Sequence, residues 1–136
     1  MRPSEIKFVS FDCYGTLTDF RVGELTKQRV ADLVAPAAMA GFLEDFTAYR
    51  FDEVLGDWKP YADVLHQALE RTCRRWNIAF RPEDAAAIVA AVPTWRPHAD
   101  VPVPLARLAG EIPLVILSNA RSSPMSTSWA HLFMPS

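Results

Sequence analysis

The chain has 136 residues, half of them hydrophobic and 22% charged, with a formal net charge of -2. That length suits one ordinary domain able to bury a core, and the charge gives no electrostatic case for a nucleic-acid partner. Two cysteines, Cys13 and Cys73, are too few for a disulfide framework and lack zinc-ligand spacing. No apolar run approaches a membrane span, and residues 1–7 lack the apolar stretch of a signal peptide, so a reducing cytoplasm is the expected setting.

The sequence opens on Ile6-Lys7-Phe8-Val9-Ser10-Phe11, an apolar run rich in β-formers that ends at Asp12. A turn containing glycine, Cys13-Tyr14-Gly15-Thr16-Leu17, comes at once after it. The pattern predicts a buried parallel strand over 6–11 that delivers a carboxylate to its C-terminal edge. Ligands of open α/β sheets sit at that edge, where loops splay apart and helix N-termini point in. Asp12 so placed is a nucleophile, a metal ligand or a turn-former. Gly15 permits a tight turn, and the Thr16 hydroxyl can orient the carboxylate or cap the next segment of chain. Cys13 reads as a small space-filler.

From about residue 18 to 95 the pattern is helical. Leu25, Val30, Leu33 and Val34 give a weak amphipathic helix over 25–34 that Pro36 ends or kinks. Over 37–55, Met39, Phe42, Leu43, Phe46, Tyr49 and Arg50 fall near one broad face before Gly56-Asp57 breaks it. The clearest helix is 60–76, with Pro60 in its first turn and Tyr61, Val64, Leu65, Ala68, Leu69, Thr72 and Trp76 at three- and four-residue steps. Arg71, Arg74 and Arg75 read as a solvated face of it. A helix over 82–92 starts on Pro82 with Glu83 and Asp84 where the dipole favours acids, and stops at Pro93. Together these imply a small helical bundle. After Trp95, a short helix over 105–109 closes at Gly110, and a second apolar strand over 113–117 ends at Ser118-Asn119. If the two strands are parallel neighbours, Asp12 meets Ser118 and Asn119 at one edge.

At this separation, Phe11-Asp12-Cys13-Tyr14-Gly15-Thr16-Leu17 and Leu117-Ser118-Asn119-Ala120 resemble the two leading motifs of the haloacid dehalogenase superfamily. The type II (S)-2-haloacid dehalogenase branch is the most similar, since Trp58-Lys59-Pro60-Tyr61 and residues 100–108 also resemble it. The resemblance runs from about residue 6 to 120. It implies an α/β fold: a partial Rossmann-like core of parallel strands, 1–17 and 96–120, with an inserted helical-bundle cap, 18–95. Residues 121–136 then form a tail unlike the family.

The resemblance also implies a chemistry. Asp12 attacks C2 of an (S)-2-haloalkanoate, halide leaves, and water hydrolyses the aspartyl ester to a 2-hydroxy acid. Superfamily phosphatases carry a second aspartate, a general acid, where this chain has Tyr14; halide is a weak base and needs no such proton. Ser118 and Asn119, with backbone donors near Cys13 and Tyr14, would hold the substrate carboxylate, with Thr16 in the same binding set. Arg50 resembles the cap arginine that cradles the halide, a surface arginine being the alternative. The branch works without metal or cofactor, and magnesium belongs to the phosphatase alternative. His66, His98 and His131 match no catalytic position.

Family members continue past the second motif with a lysine and an acidic residue, whereas this chain has no lysine after Lys59 and no Asp or Glu after Glu111. The expectation is a truncated product, from a frameshift shortly after Asn119, with impaired turnover. An unpaired apolar edge on the first strand would invite self-association. The alternatives are a non-catalytic remnant and a small-molecule phosphatase.

Overall fold

The computed structural model describes residues 5–117. In chain order these form β1 (Val9–Asp12), α1 (Val22–Arg29), α2 (Met39–Leu55), α3 (Tyr61–Arg75), α4 (Pro82–Ala91), α5 (Pro102–Ala109) and β2 (Leu114–Leu117). Short 3-10 turns lie at Pro36–Ala38 and Val92–Thr94. Among the described residues, five helices and two parallel strands make an α/β fold. Among the described residues β1 and β2 are parallel neighbours, with Val9 opposite Leu114 and Asp12 opposite Leu117. No helix among them is long and apolar enough to cross a membrane.

Two compact units divide the chain: a helical one, Arg21–Thr94, and a strand-bearing one whose described residues are 5–20 and 95–117. In the helical unit α3 follows its sequence closely. Val64, Leu65, Ala68, Leu69, Thr72 and Cys73 are buried, and the Thr72 hydroxyl donates to the Ala68 carbonyl at 2.7 Å, so a polar side chain is tolerated inside. Asn77 takes a left-handed φ of 51° just past its end, a conformation asparagine accepts more readily than most residues. Phe42 of α2 meets the Trp76 ring edge-on at 5.7 Å. The Trp76 indole N–H and the Arg75 guanidinium both donate to Asp45 at 2.8 Å, tying α2 to the end of α3.

Two expectations need correction, and one gains detail. The arginines of α3 do face solvent, Arg74 and Arg75 exposed and Arg71 partly so, but each is also ion-paired, Arg71 with Asp52 at 2.6 Å and Glu53 at 2.5 Å, Arg75 with Asp45, and Arg74 with Glu70 at 3.1 Å. Their partners lie mostly on α2, which a local pattern does not reveal. The final helix begins at Pro102 rather than at residue 105, because Pro102 and Pro104 fall in the first turn, where no N–H has to donate within the helix. Nor is the first strand buried. It runs Val9–Asp12 with alternating half-buried and exposed residues, and Phe8 just before it is 58% exposed. A parallel sheet is buried on both faces only where helices cover both. Among the described residues the strand-bearing unit holds one helix, α5.

Candidate active site at the end of the first strand

Asp12 is the last residue of β1, and the turn after it is closed by its own backbone. The Cys13 carbonyl accepts from the Leu17 N–H at 2.9 Å and the Thr18 N–H at 3.1 Å, while the Gly15 N–H donates to the Thr18 carbonyl at 3.1 Å. Gly15 sits at φ +83°, in the left-handed region where a Cβ would be strained, so glycine here is a backbone requirement. The turn thereby brings Thr16 back over the strand end. Its hydroxyl donates to Asp12 Oδ2 at 3.0 Å, fixing one carboxylate oxygen and leaving the exposed carboxylate reachable from solvent.

Thr18 is fully buried, and its hydroxyl gives the Cys13 carbonyl a third donor, at 3.1 Å. The turn is stitched to the chain re-entering this unit, with the Asp19 N–H donating to Arg96 and the His98 N–H to Leu17, both at 3.0 Å. Phe20 packs against Tyr14, ring centres 5.8 Å apart, and edge-on against Trp95 at 5.4 Å. Sequence reasoning assigned neither Thr18 nor Trp95 to the site. Thr18 comes directly after the motif and could have been suspected as a second turn hydroxyl; Trp95 is brought in by tertiary packing and left no local signal.

Burial, and secondarily the Asp12 charge, push the Cys13 thiol above its ordinary pKa, which keeps it protonated and inert. Cys13, Tyr14 and Thr16 therefore cluster with Asp12. Arg50 lies on α2 in the helical unit, half-buried, its guanidinium 5.5 Å from the Phe46 ring centre. Burial lowers its pKa, and the Tyr61 hydroxyl works in the opposite direction. β2 sets Leu117 opposite Asp12; Ser118 and Asn119 lie outside the described residues. Among the described residues no group of three or more histidine, cysteine, aspartate or glutamate side chains could hold a metal ion.

No protein-family model and no curated protein matches the chain by sequence. Solved structures do. An L-2-haloacid dehalogenase matches with a TM-score of 0.67 and 26% identity, over 88% of this chain and 55% of its own. The L-2-haloacid dehalogenase of Xanthobacter autotrophicus, solved with chloropropionic acid covalently bound, matches with a TM-score of 0.67 and 22% identity over 94% and 52%. A third structure, described as a dehalogenase, gives a TM-score of 0.69 at 18% identity over 98% and 62%. The chain thus spans between 52% and 62% of these three structures. It is by fold a haloacid dehalogenase-like chain, carrying part of the architecture those enzymes share.

Proposed function

We propose that the chain carries the nucleophilic half of a 2-haloacid dehalogenase site, with Asp12 as the nucleophile. The hydrogen bond from Thr16 to Asp12 at the end of a parallel strand is the observation that most supports this reading. It holds Oδ2 and frees Oδ1 to attack C2 of an (S)-2-haloalkanoate. The new bond is C2–Oδ1, the bond broken is carbon–halogen, and the halide departs with the electron pair, so no proton has to be delivered. Tyr14 standing two residues after Asp12 agrees with a site that supplies no acid to a leaving group. The Xanthobacter enzyme, seen with chloropropionic acid covalently bound, supports a small 2-haloacid as substrate here.

In this reading the substrate carboxylate is held by the Cys13 and Tyr14 backbone N–H groups, Thr16, Ser118 and Asn119, and Arg50 stabilises the departing halide. A guanidinium with its pKa lowered by burial still keeps its proton and offers charge without becoming an acid. Residues 18–95 would act as a cap over a core formed by 1–17 and 96–120. Both thiols are free and buried, which suits a reducing cytoplasm.

The test separates the two half-reactions. Incubation with (S)-2-chloropropionate should release up to one chloride per chain and leave a mass gain equal to the substrate less hydrogen chloride, mapped to Asp12. Asp12→Asn should abolish both. A folded chain that gains no mass overturns the assignment and favours a non-catalytic remnant. Magnesium-dependent release of phosphate from phosphate monoesters would favour the phosphatase.

A further inference from the structure

The chain leaves the strand-bearing unit after Phe20 and returns to it at Trp95. These two residues, remote in sequence, meet edge-on with ring centres 5.4 Å apart, and Phe20 in turn leans on Tyr14 at 5.8 Å. A column of three rings thus runs from the re-entering chain to the turn that follows Asp12. Backbone bonds frame its base. The Asp19 N–H donates to the Arg96 carbonyl and the His98 N–H to the Leu17 carbonyl, each at 3.0 Å, and Thr18 and Pro97 form an antiparallel bridge between them.

Among the described residues this unit buries four apolar side chains, Cys13, Leu17, Trp95 and Leu105, and Trp95 is the largest of them. An aromatic ring of that size dominates so small a core. The column also acts where the hydrogen bonds act less directly. Bonds within the turn, from the Gly15, Leu17 and Thr18 N–H groups, set its shape, and those to 96–98 set where its far end lies. The rings add a hold on Tyr14, on the near side, two residues from Asp12.

We propose that Trp95 is a positioning residue for Asp12, acting through Phe20 and Tyr14 on the tilt of the turn. This role rests on the dehalogenase reading, in which the Asp12 carboxylate attacks while the Cys13 and Tyr14 N–H groups hold the substrate. A misplacement on the order of 1 Å at such a site costs about a hundredfold in rate.

The test is single-turnover ester formation on Asp12 from saturating (S)-2-chloropropionate, followed by mass. Trp95→Ala should slow that step at least about tenfold, and Trp95→Phe should recover most of the loss. Because Trp95→Ala can unfold the unit, Phe20→Leu is the second variant: it keeps bulk without a ring at a half-buried position. It should slow ester formation about threefold or more while keeping the circular dichroism of the parent. Leu105→Ala is the control. Leu105 is buried on α5, so its loss costs stability, yet the folded fraction should form ester at the parental rate.

Amide hydrogen exchange gives a readout that needs no chemistry. In Phe20→Leu the Gly15 and Leu17 amides, both hydrogen-bonded inside the turn, should exchange at least about tenfold faster, with those of α3 unchanged. A parent that forms no ester sinks the dehalogenase reading alone, and exchange at Gly15 and Leu17 then decides whether the rings hold the turn. Parental exchange there overturns the proposal. So do parental ester rates in folded Phe20→Leu and Trp95→Ala, or an equal slowing in Leu105→Ala, either of which leaves Asp12 as the nucleophile.

Discussion

In the helical unit Phe42, Phe46, Leu65, Leu69 and Ile88 are all but inaccessible to solvent, while in the strand-bearing unit Ile6, Phe8, Val115, Ile116 and Leu117 stand open. Among the described residues, all but four of the buried apolar side chains, namely Cys13, Leu17, Trp95 and Leu105, belong to the helical unit. The difference arises from how each kind of element finds partners. Antiparallel or neighbouring helices meet across short links, so one contiguous stretch can close a core. A parallel strand takes its neighbours and its covering helices from distant chain. This chain covers only 55% and 52% of two dehalogenase structures whose fold it shares.

The sharpest way to break that comparison is to truncate a phenylalanine in each unit. Phe42→Ala should cost about 3–5 kcal/mol, because it empties a closed site beside Trp76. Phe8→Ser should change stability by no more than about 0.5 kcal/mol, since its ring is largely solvated already. Urea denaturation monitored by circular dichroism measures both, and similar losses would mean that the sheet is better packed than its exposure indicates.

Next in size is Asp84, a buried carboxylate held by Arg29 at 2.6 Å and by Arg81 at 2.6 Å. Arg81 extends the link to Asp32 at 2.7 Å and to the Arg29 carbonyl at 2.6 Å, so α1, the turn after it and α4 converge on one residue. Asp84→Ala should cost about 2–3 kcal/mol, less than for a fully buried pair, because both guanidinium groups are partly exposed and can rehydrate. A loss confined to a few tenths would show that apolar packing alone joins these helices.

Asp84 also shows what a sequence hides. Its place in the first turn of a helix is legible, as a favourable interaction with the helix dipole. Its partners lie 55 residues away at Arg29 and three away at Arg81, and the distant one leaves no periodic trace. The same holds for Asp45 with Arg75, and for Arg71 with Asp52 and Glu53. Local features are easier to read. The α3 face, the turn at Gly15 and the Thr16 hydroxyl over Asp12 depend on residues within a few positions, where chain geometry leaves little choice. Strand burial is harder, because apolar content records what a strand can bury against, not what is there to cover it.

A smaller effect is expected at the turn that presents Asp12. A Cβ on Gly15 would meet Phe20 Cβ at 3.8 Å, an ordinary contact, so the cost of Gly15→Ala is backbone strain alone. That is about 1–2 kcal/mol, and Gly15→Asn should cost less because asparagine tolerates φ near +83°. Equal costs for the two would show that the turn opens rather than straining.

The finest distinction concerns acid. Lys59 and Arg71 both donate to Glu53 and lower its pKa below the ordinary 4.5. A carboxylate with a depressed folded-state pKa adds stability above its unfolded value, and loses it as pH falls through the folded one. Glu53→Gln should therefore be less stable than the parent at neutral pH, with the gap closing as pH drops below 4.5. The parent's acid sensitivity will not vanish in the variant, because Asp45 is likewise depressed, by the Trp76 N–H and then by Arg75. A gap that stays constant from about pH 7 to about pH 3 would show that Glu53 contributes by shape and not by charge. The helical unit would then owe its closure to packing alone, with the ion pairs merely decorating it.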